Sequence, residues 1–123
     1  MARRAVEVDL ADDERALLLE GLRQWGGSAS PTHELAKAMG FESVRDLDVE
    51  RRRIADDLEE RHQLSARDWT RALVCTEVII ASDVFGAGVE WAIVTPFDDE
   101  TAVRVLRAIQ RKLVTHRISL TGR

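Results

Sequence analysis

Apolar positions recur at helical spacing along most of the chain, and each run is bounded by capping residues. Asp9 is placed to cap a first helix, with Asp12, Asp13 and Glu14 in its first turn near the positive end of the dipole. Leu18, Leu22 and Trp25 repeat at four and three residues, and Gly26-Gly27 ends the run. Ser30-Pro31 opens a second, short helix carrying Leu35, Ala36 and Met39, with Gly40 in the position of a C′ glycine. Ser43 with Asp46 resembles a capping box for a third helix, whose stripe is Leu47, Ile54 and Leu58 and which runs to about Arg61. Ser65 with Asp68 repeats that pattern, and Leu64 and Trp69 are spaced as a hydrophobic staple. The fourth helix runs from there to Phe85, stopped by Gly86-Ala87-Gly88. The last begins at Asp98, with Phe97 and Ala102 as a second staple and an apolar stripe of Ala102, Leu106, Ile109 and Leu113.

The pattern therefore predicts an all-α fold. It is a compact bundle of about five helices in a single helical domain over residues 1–123. Residues 89–95 are β-branched and aromatic enough to be extended, and Pro96 disfavours helix just before it. Residues 5–10 and 117–121 also alternate, so a minor short strand pairing is admitted.

Residues 65–85 form the predicted centre. With successive residues about 100° apart, apolar side chains point in nearly every direction, and only Arg71, Cys75 and Ser82 share a narrow stripe that could face water. A helix apolar nearly all round is a buried one. Glu77 falls between Leu73, Ile80, Ala81 and Val84, and Asp83 lies beside Ala72 and Thr76. Both are expected to be buried carboxylates. Such a group is costly unless paired, and unpaired it shifts its pKa upward. For Glu77 the two readings are an ion pair with an arginine from the third or last helix, or a perturbed acid in a pocket.

Composition then narrows the class. The 123 residues are 45% hydrophobic and 33% charged, as in a globular protein of ordinary core size, and not in a disordered chain. No apolar run is long enough to span a membrane, and the first residues lack the apolar stretch of a secretory signal. A single cysteine, Cys75, cannot form an internal disulfide, so a cytoplasmic setting is expected. The basic residues are 16 Arg against 2 Lys, with no Asn and no Tyr, a codon bias that suggests a GC-rich bacterial genome. The net charge of −4 is uneven. Residues 1–64 and 65–103 each carry net −5, and residues 104–123 carry net +6. Such polarisation hints at a partner, or at a basic end lying against an acidic body.

Catalytic and metal signatures are few. His33, His62 and His116 are scattered, and Glu59-Glu60-Arg61-His62 offers one Glu-x-x-His where carboxylate-bridged dimetal bundles need two. No metal or cofactor is expected. The chain has no Gly-x-Ser-x-Gly, P-loop or dinucleotide fingerprint. Cys75 reads as a small apolar residue, and the Asp-Asp-Glu triplets at 12–14 and 98–100 as helix-dipole partners.

Residues 34–44 have the spacing of the first helix and turn of a helix-turn-helix, which would extend over 32–53. The would-be reading helix carries Asp46, Asp48 and Glu50, which oppose phosphate, and Arg51, Arg52 and Arg53 have acidic partners at helical spacing. Nucleic acid is therefore possible but disfavoured. On the last helix Arg104, Arg107 and Arg111 form one stripe opposite the apolar face, the best place for an acidic partner to dock. Glu90 and Trp91 lie in the segment between the last two helices, and Trp is enriched at interface hot spots. The leading expectation is a non-catalytic protein-interaction module, a regulator, adaptor or inhibitor, with Trp91, Glu90, Arg104, Arg107 and Arg111 as partner-binding residues. A homodimer is compatible with it. The alternatives are a DNA-binding regulator and a small enzyme with a buried acid at Glu77.

Overall fold

Among the described residues, two near the start of the chain pair with two in the middle, beside a group of five helices. In the computed structural model, which describes residues 5–25, 31–84 and 98–115, the elements are β1 (Ala5–Val6), α1 (Asp12–Gln24), α2 (His33–Ala38), α3 (Val44–Glu59), β2 (Leu64–Ser65), α4 (Ala66–Val84) and α5 (Asp99–Thr115). The fold is mostly helical, as the periodicity predicts, with one small two-stranded sheet. The segments 85–97 and 116–123 lie outside the described residues, and with them the extended stretch expected at 89–95 and the second alternating stretch at 117–121.

The caps show which local signals act. Ser43 Oγ accepts the Asp46 N–H at 3.0 Å, while Asp46 reaches back to the Glu42 N–H at 2.9 Å. Ser65 Oγ accepts from Asp68 N at 3.2 Å. Gly40 takes φ +97°, and the Gly40 and Phe41 N–H groups bond the carbonyls of Lys37 and Ala36, closing α2 in a Schellman motif. Two starts differ from the sequence expectation. The N-cap of α1 is Ala11, not Asp9. Its N–H is held by the Glu14 carboxylate at 2.8 Å, and Lys112 of α5 bridges that carboxylate at 2.6 Å to the Asp9 carbonyl at 2.8 Å. Asp9 is displaced because its own carbonyl is used across the fold. The cap of α2 is Thr32, two residues beyond Ser30, with its hydroxyl accepting from Leu35 N at 3.1 Å.

Asp98 opens α5 as expected. The Thr101 backbone N–H donates to Oδ1 at 2.7 Å, and this bond, helped by the Thr101 side chain and the charge of Arg104, holds the Asp98 carboxyl below the usual aspartate range. A depressed folded-state pKa means that the cap acts above the unfolded value, about 3.9, and is lost as pH falls through the folded one. A carboxyl-carbon NMR titration should place Asp98 below the unfolded aspartate value, about 3.9. Amide protection in the first turn of α5 should fall over the same interval, and in Asp98→Asn it should not. Titration of Asp98 at or above the unfolded value would contradict this.

β1 pairs antiparallel with β2, Ala5 opposite Ser65 and Val6 opposite Leu64. The Trp69 indole donates to the Val6 carbonyl at 2.8 Å, and Val8 N donates to Gln63 Oε1 at 3.1 Å. The first strand thus finds its partner just ahead of α4. Leu17, Leu18, Leu22, Ile54, Leu58, Trp69, Leu73, Ile109 and Leu113 are buried in one hydrophobic cluster, with α4 packed against both α1 and α5.

The rotation of α4 differs from the wheel. Arg71 and Cys75, expected toward water, are 4% and 0% exposed. The open face is instead Arg67, Val74, Glu77, Val78 and Ala81. A helix with apolar residues all round has no dominant face to fix its rotation. Here Arg71 is turned inward because the α2–α3 turn and α3 supply its acceptors.

Candidate interaction surface

The buried charge expected at Glu77 sits elsewhere, on the first turns of α4. Arg71 donates through Nε and Nη2 to the Gly40 carbonyl at 3.2 and 3.0 Å, and its Nη1 lies 3.2 Å from Glu50 Oε1 and 3.5 Å from Asp68 Oδ1. Arg53 holds the same two carboxylates at 2.7 and 3.0 Å. The Arg71 guanidinium stands 4.8 Å over the Phe41 ring. Asp68 and Arg71 are 5% and 4% exposed, so the inner half of this network is buried, while Arg53 reaches it from the surface. Its hydrogen bonds with Glu50 and Asp68 hold the Arg53 guanidinium above its ordinary pKa. Burial, and then the charge of Arg67, push that of Arg71 down. Asp68 was legible as a cap, but its second role depends on which helices lie beside it.

Glu77 corrects an expectation. It is half-buried, and its partner is the Gln110 amide of α5, whose Nε2 donates to Oε2 at 2.7 Å. No arginine reaches it among the described residues. The rotation of α4 explains this, since the residue lies on the open face rather than in the apolar arc. The side chain of Asp83 lies outside what the structure describes, as do Glu90 and Trp91.

The arginines of α5 are placed together. Arg104, Arg107 and Arg111 are all exposed, and Val114, 59% exposed, continues their i, i+3, i+7, i+10 stripe. Among the described residues no carboxylate forms an ion pair with any of the three. Lys112, on another flank, is spent on Glu14. The clustered arginines elsewhere are all paired, Arg51 and Arg52 with Asp48, Arg53 and Arg71 with Glu50 and Asp68.

Between the end of α2 and α4 runs an open groove of about 950 Å³, with Lys37, Met39, Arg67, Arg71, Val74 and Glu77 among its lining residues. The sequence reading missed it. Its signal was the i, i+3, i+7, i+10 spacing of Arg67, Thr70, Val74 and Glu77, hidden by the apolarity of the rest of the helix.

The helix-turn-helix segment is present as α2, a five-residue turn and α3. Exposed or half-buried along α3 are Arg45, Asp48, Val49, Arg52 and Asp56, and Asp48 holds Arg52 at 3.1 Å. Alternating signs of this kind give phosphate little net attraction. Burial pushes the Cys75 thiol up to about 12, so it is no nucleophile at neutral pH. Among the described residues no three His, Cys, Asp or Glu side chains gather as metal ligands, and no helix is long and apolar enough to cross a membrane.

Comparison with known proteins returned no matching family model, no similar curated sequence and no similar solved structure. The functional reading therefore rests on the surface itself.

Proposed function

We propose that the protein is a small non-catalytic interaction module, a regulator, adaptor or inhibitor, that docks an acidic protein partner on the outer face of α5. The observation that carries this reading is the stripe of Arg104, Arg107 and Arg111, exposed side by side and without an ion pair among the described residues. Three like charges at helical spacing repel one another by a few tenths of a kcal/mol per pair, roughly. An acidic partner reverses the sign of that term and steers association. Val114 adds an apolar contact at the end of the stripe. The single cysteine and the bacterial codon bias suit a cytoplasmic bacterial protein.

The test compares capture from bacterial lysate by the full chain, by Arg104→Glu/Arg107→Glu/Arg111→Glu, and by a control reversing Arg45 and Arg52 on α3. A protein captured by wild type and control, released by salt and lost with the α5 variant supports the reading. Capture indifferent to the α5 charges contradicts it. Captured material dominated by nucleic acid and lost only in the α3 variant would favour the helix-turn-helix alternative.

A further inference from the structure

We infer that the α2–α4 groove receives an acidic amphipathic segment of the protein partner, its carboxylates at Lys37 and Arg67 and its apolar side chains along Val74. This rests on the interaction-module reading and names a second, separate surface for it. Lys37 and Arg67 both line the groove, both exposed and neither in an ion pair among the described residues, and along α4 Arg67 and Glu77 stand at opposite ends of the lining. Arg71 also lines the groove, but it is held by Glu50 and Asp68, which it shares with Arg53, and Arg53 pairs with Asp57 as well. Arg67 presses on Arg71 electrostatically, and a carboxylate arriving from outside would give Arg67 a partner and relieve that repulsion. Arg67 also occupies the first turn of α4, where the helix dipole disfavours a cation, so the positive potential is concentrated there.

The middle of the groove is apolar, with Met39 and the half-buried Val74 among its lining. Further along α4 the groove is lined by Glu77, held by Gln110 of α5. From Arg67 to Glu77 is ten residues of helix, about 15 Å. That length suits roughly ten residues of a helical segment or five of an extended one. Gln110 stands three and four residues from Arg107 and Val114, so this part of the groove lies close to the edge of the α5 stripe. The wall chemistry also favours peptide over nucleic acid. Among the described residues no aromatic side chain lines the groove to stack a base, and the two cations there without an ion pair are few for a phosphate chain.

The probe is a phage-displayed library of random dodecapeptides selected on the immobilised full chain. Enriched peptides should combine Asp or Glu with large apolar residues. Affinity of the strongest, made as a labelled synthetic peptide, should fall at least tenfold in both Val74→Arg and Arg67→Glu and stay within twofold in Arg45→Glu. Both groove positions face solvent at least in part, and unchanged thermal melts would confirm that the variants fold. Failure to enrich, enrichment of peptides without acids, or binding indifferent to both groove variants overturns the inference. So does a random-sequence DNA duplex that binds more tightly and displaces the peptide. Because the α5 triple variant is measured beside these, peptides lost only there would support the α5 surface while rejecting the groove.

Discussion

Arg71→Ala is expected to destabilise the fold by about 3–5 kcal/mol, the range for removing one partner of a buried charge cluster. Arg71 is 4% exposed, and its guanidinium performs three tasks at once. It satisfies the Gly40 carbonyl at the turn between α2 and α3, it neutralises Glu50 and Asp68, and it covers the Phe41 ring. Alanine leaves the carbonyl without that donor and Asp68 dependent on Arg53 alone. Arg71→Lys should recover only part of the loss. An ammonium keeps the charge but cannot hold the carbonyl and the carboxylates with one planar fork. Urea unfolding followed by circular dichroism reads this as a lower midpoint with an unchanged slope. A loss below about 1 kcal/mol for the alanine variant would place Arg71 in water and remove the cluster as an organiser of the α2–α3 turn.

Gly21→Ala should cost about 3 kcal/mol, the upper end for overpacking. Helix propensity alone points the other way, since alanine is favoured over glycine inside a helix by about 1 kcal/mol. The geometry decides. A Cβ at position 21 would lie 2.7 Å from the Cα of Thr76 and closer still to its hydroxyl oxygen, which is bonded to the Ala72 carbonyl at 2.9 Å. The obstacle is backbone, so side-chain rotation cannot relieve it and α1 must move off α4. That shift would loosen Leu18 and Leu22, both fully buried, and weaken the 3.2 Å bond from the Trp25 indole to the Cys75 carbonyl. A neutral or stabilising result in the same urea experiment would show that the two helices are not in contact at this point.

Local information was legible wherever a residue acts on its own neighbourhood. Ser43, Ser65, Asp98 and Gly40 each cap or close a helix as their spacing announced. The stripe Ala102, Leu106, Ile109 and Leu113 is buried as written. These signals survive because a cap bonds within three or four residues and an amphipathic face needs only some core to turn toward. Where a distant element intervened, the local reading failed. Lys112 takes the Asp9 carbonyl and bridges Glu14, so the cap of α1 moved to Ala11. The minor strand pairing admitted from the alternation at residues 5–10 is present at 5–6, and its partner β2 is fixed by tertiary bonds, the Trp69 indole to the Val6 carbonyl and Val8 N to Gln63.

The sequence by itself thus determined the helical class, most helix ends, the central place of α4 and the arginine stripe of α5. Tertiary structure alone decided which way α4 faces. Its wheel is apolar nearly all round, so the free energies of competing rotations differ little on burial alone. The choice passes to a few polar groups that must find partners. Among the described residues Arg71 finds its hydrogen-bond acceptors toward α3, at Gly40 and Glu50, and Glu77 finds its donor at Gln110 of α5. Those partners are 21 to 33 residues away in the chain, a separation at which no periodicity carries information. Their pairing turned Arg67, Val74 and Glu77 outward and opened the groove between α2 and α4.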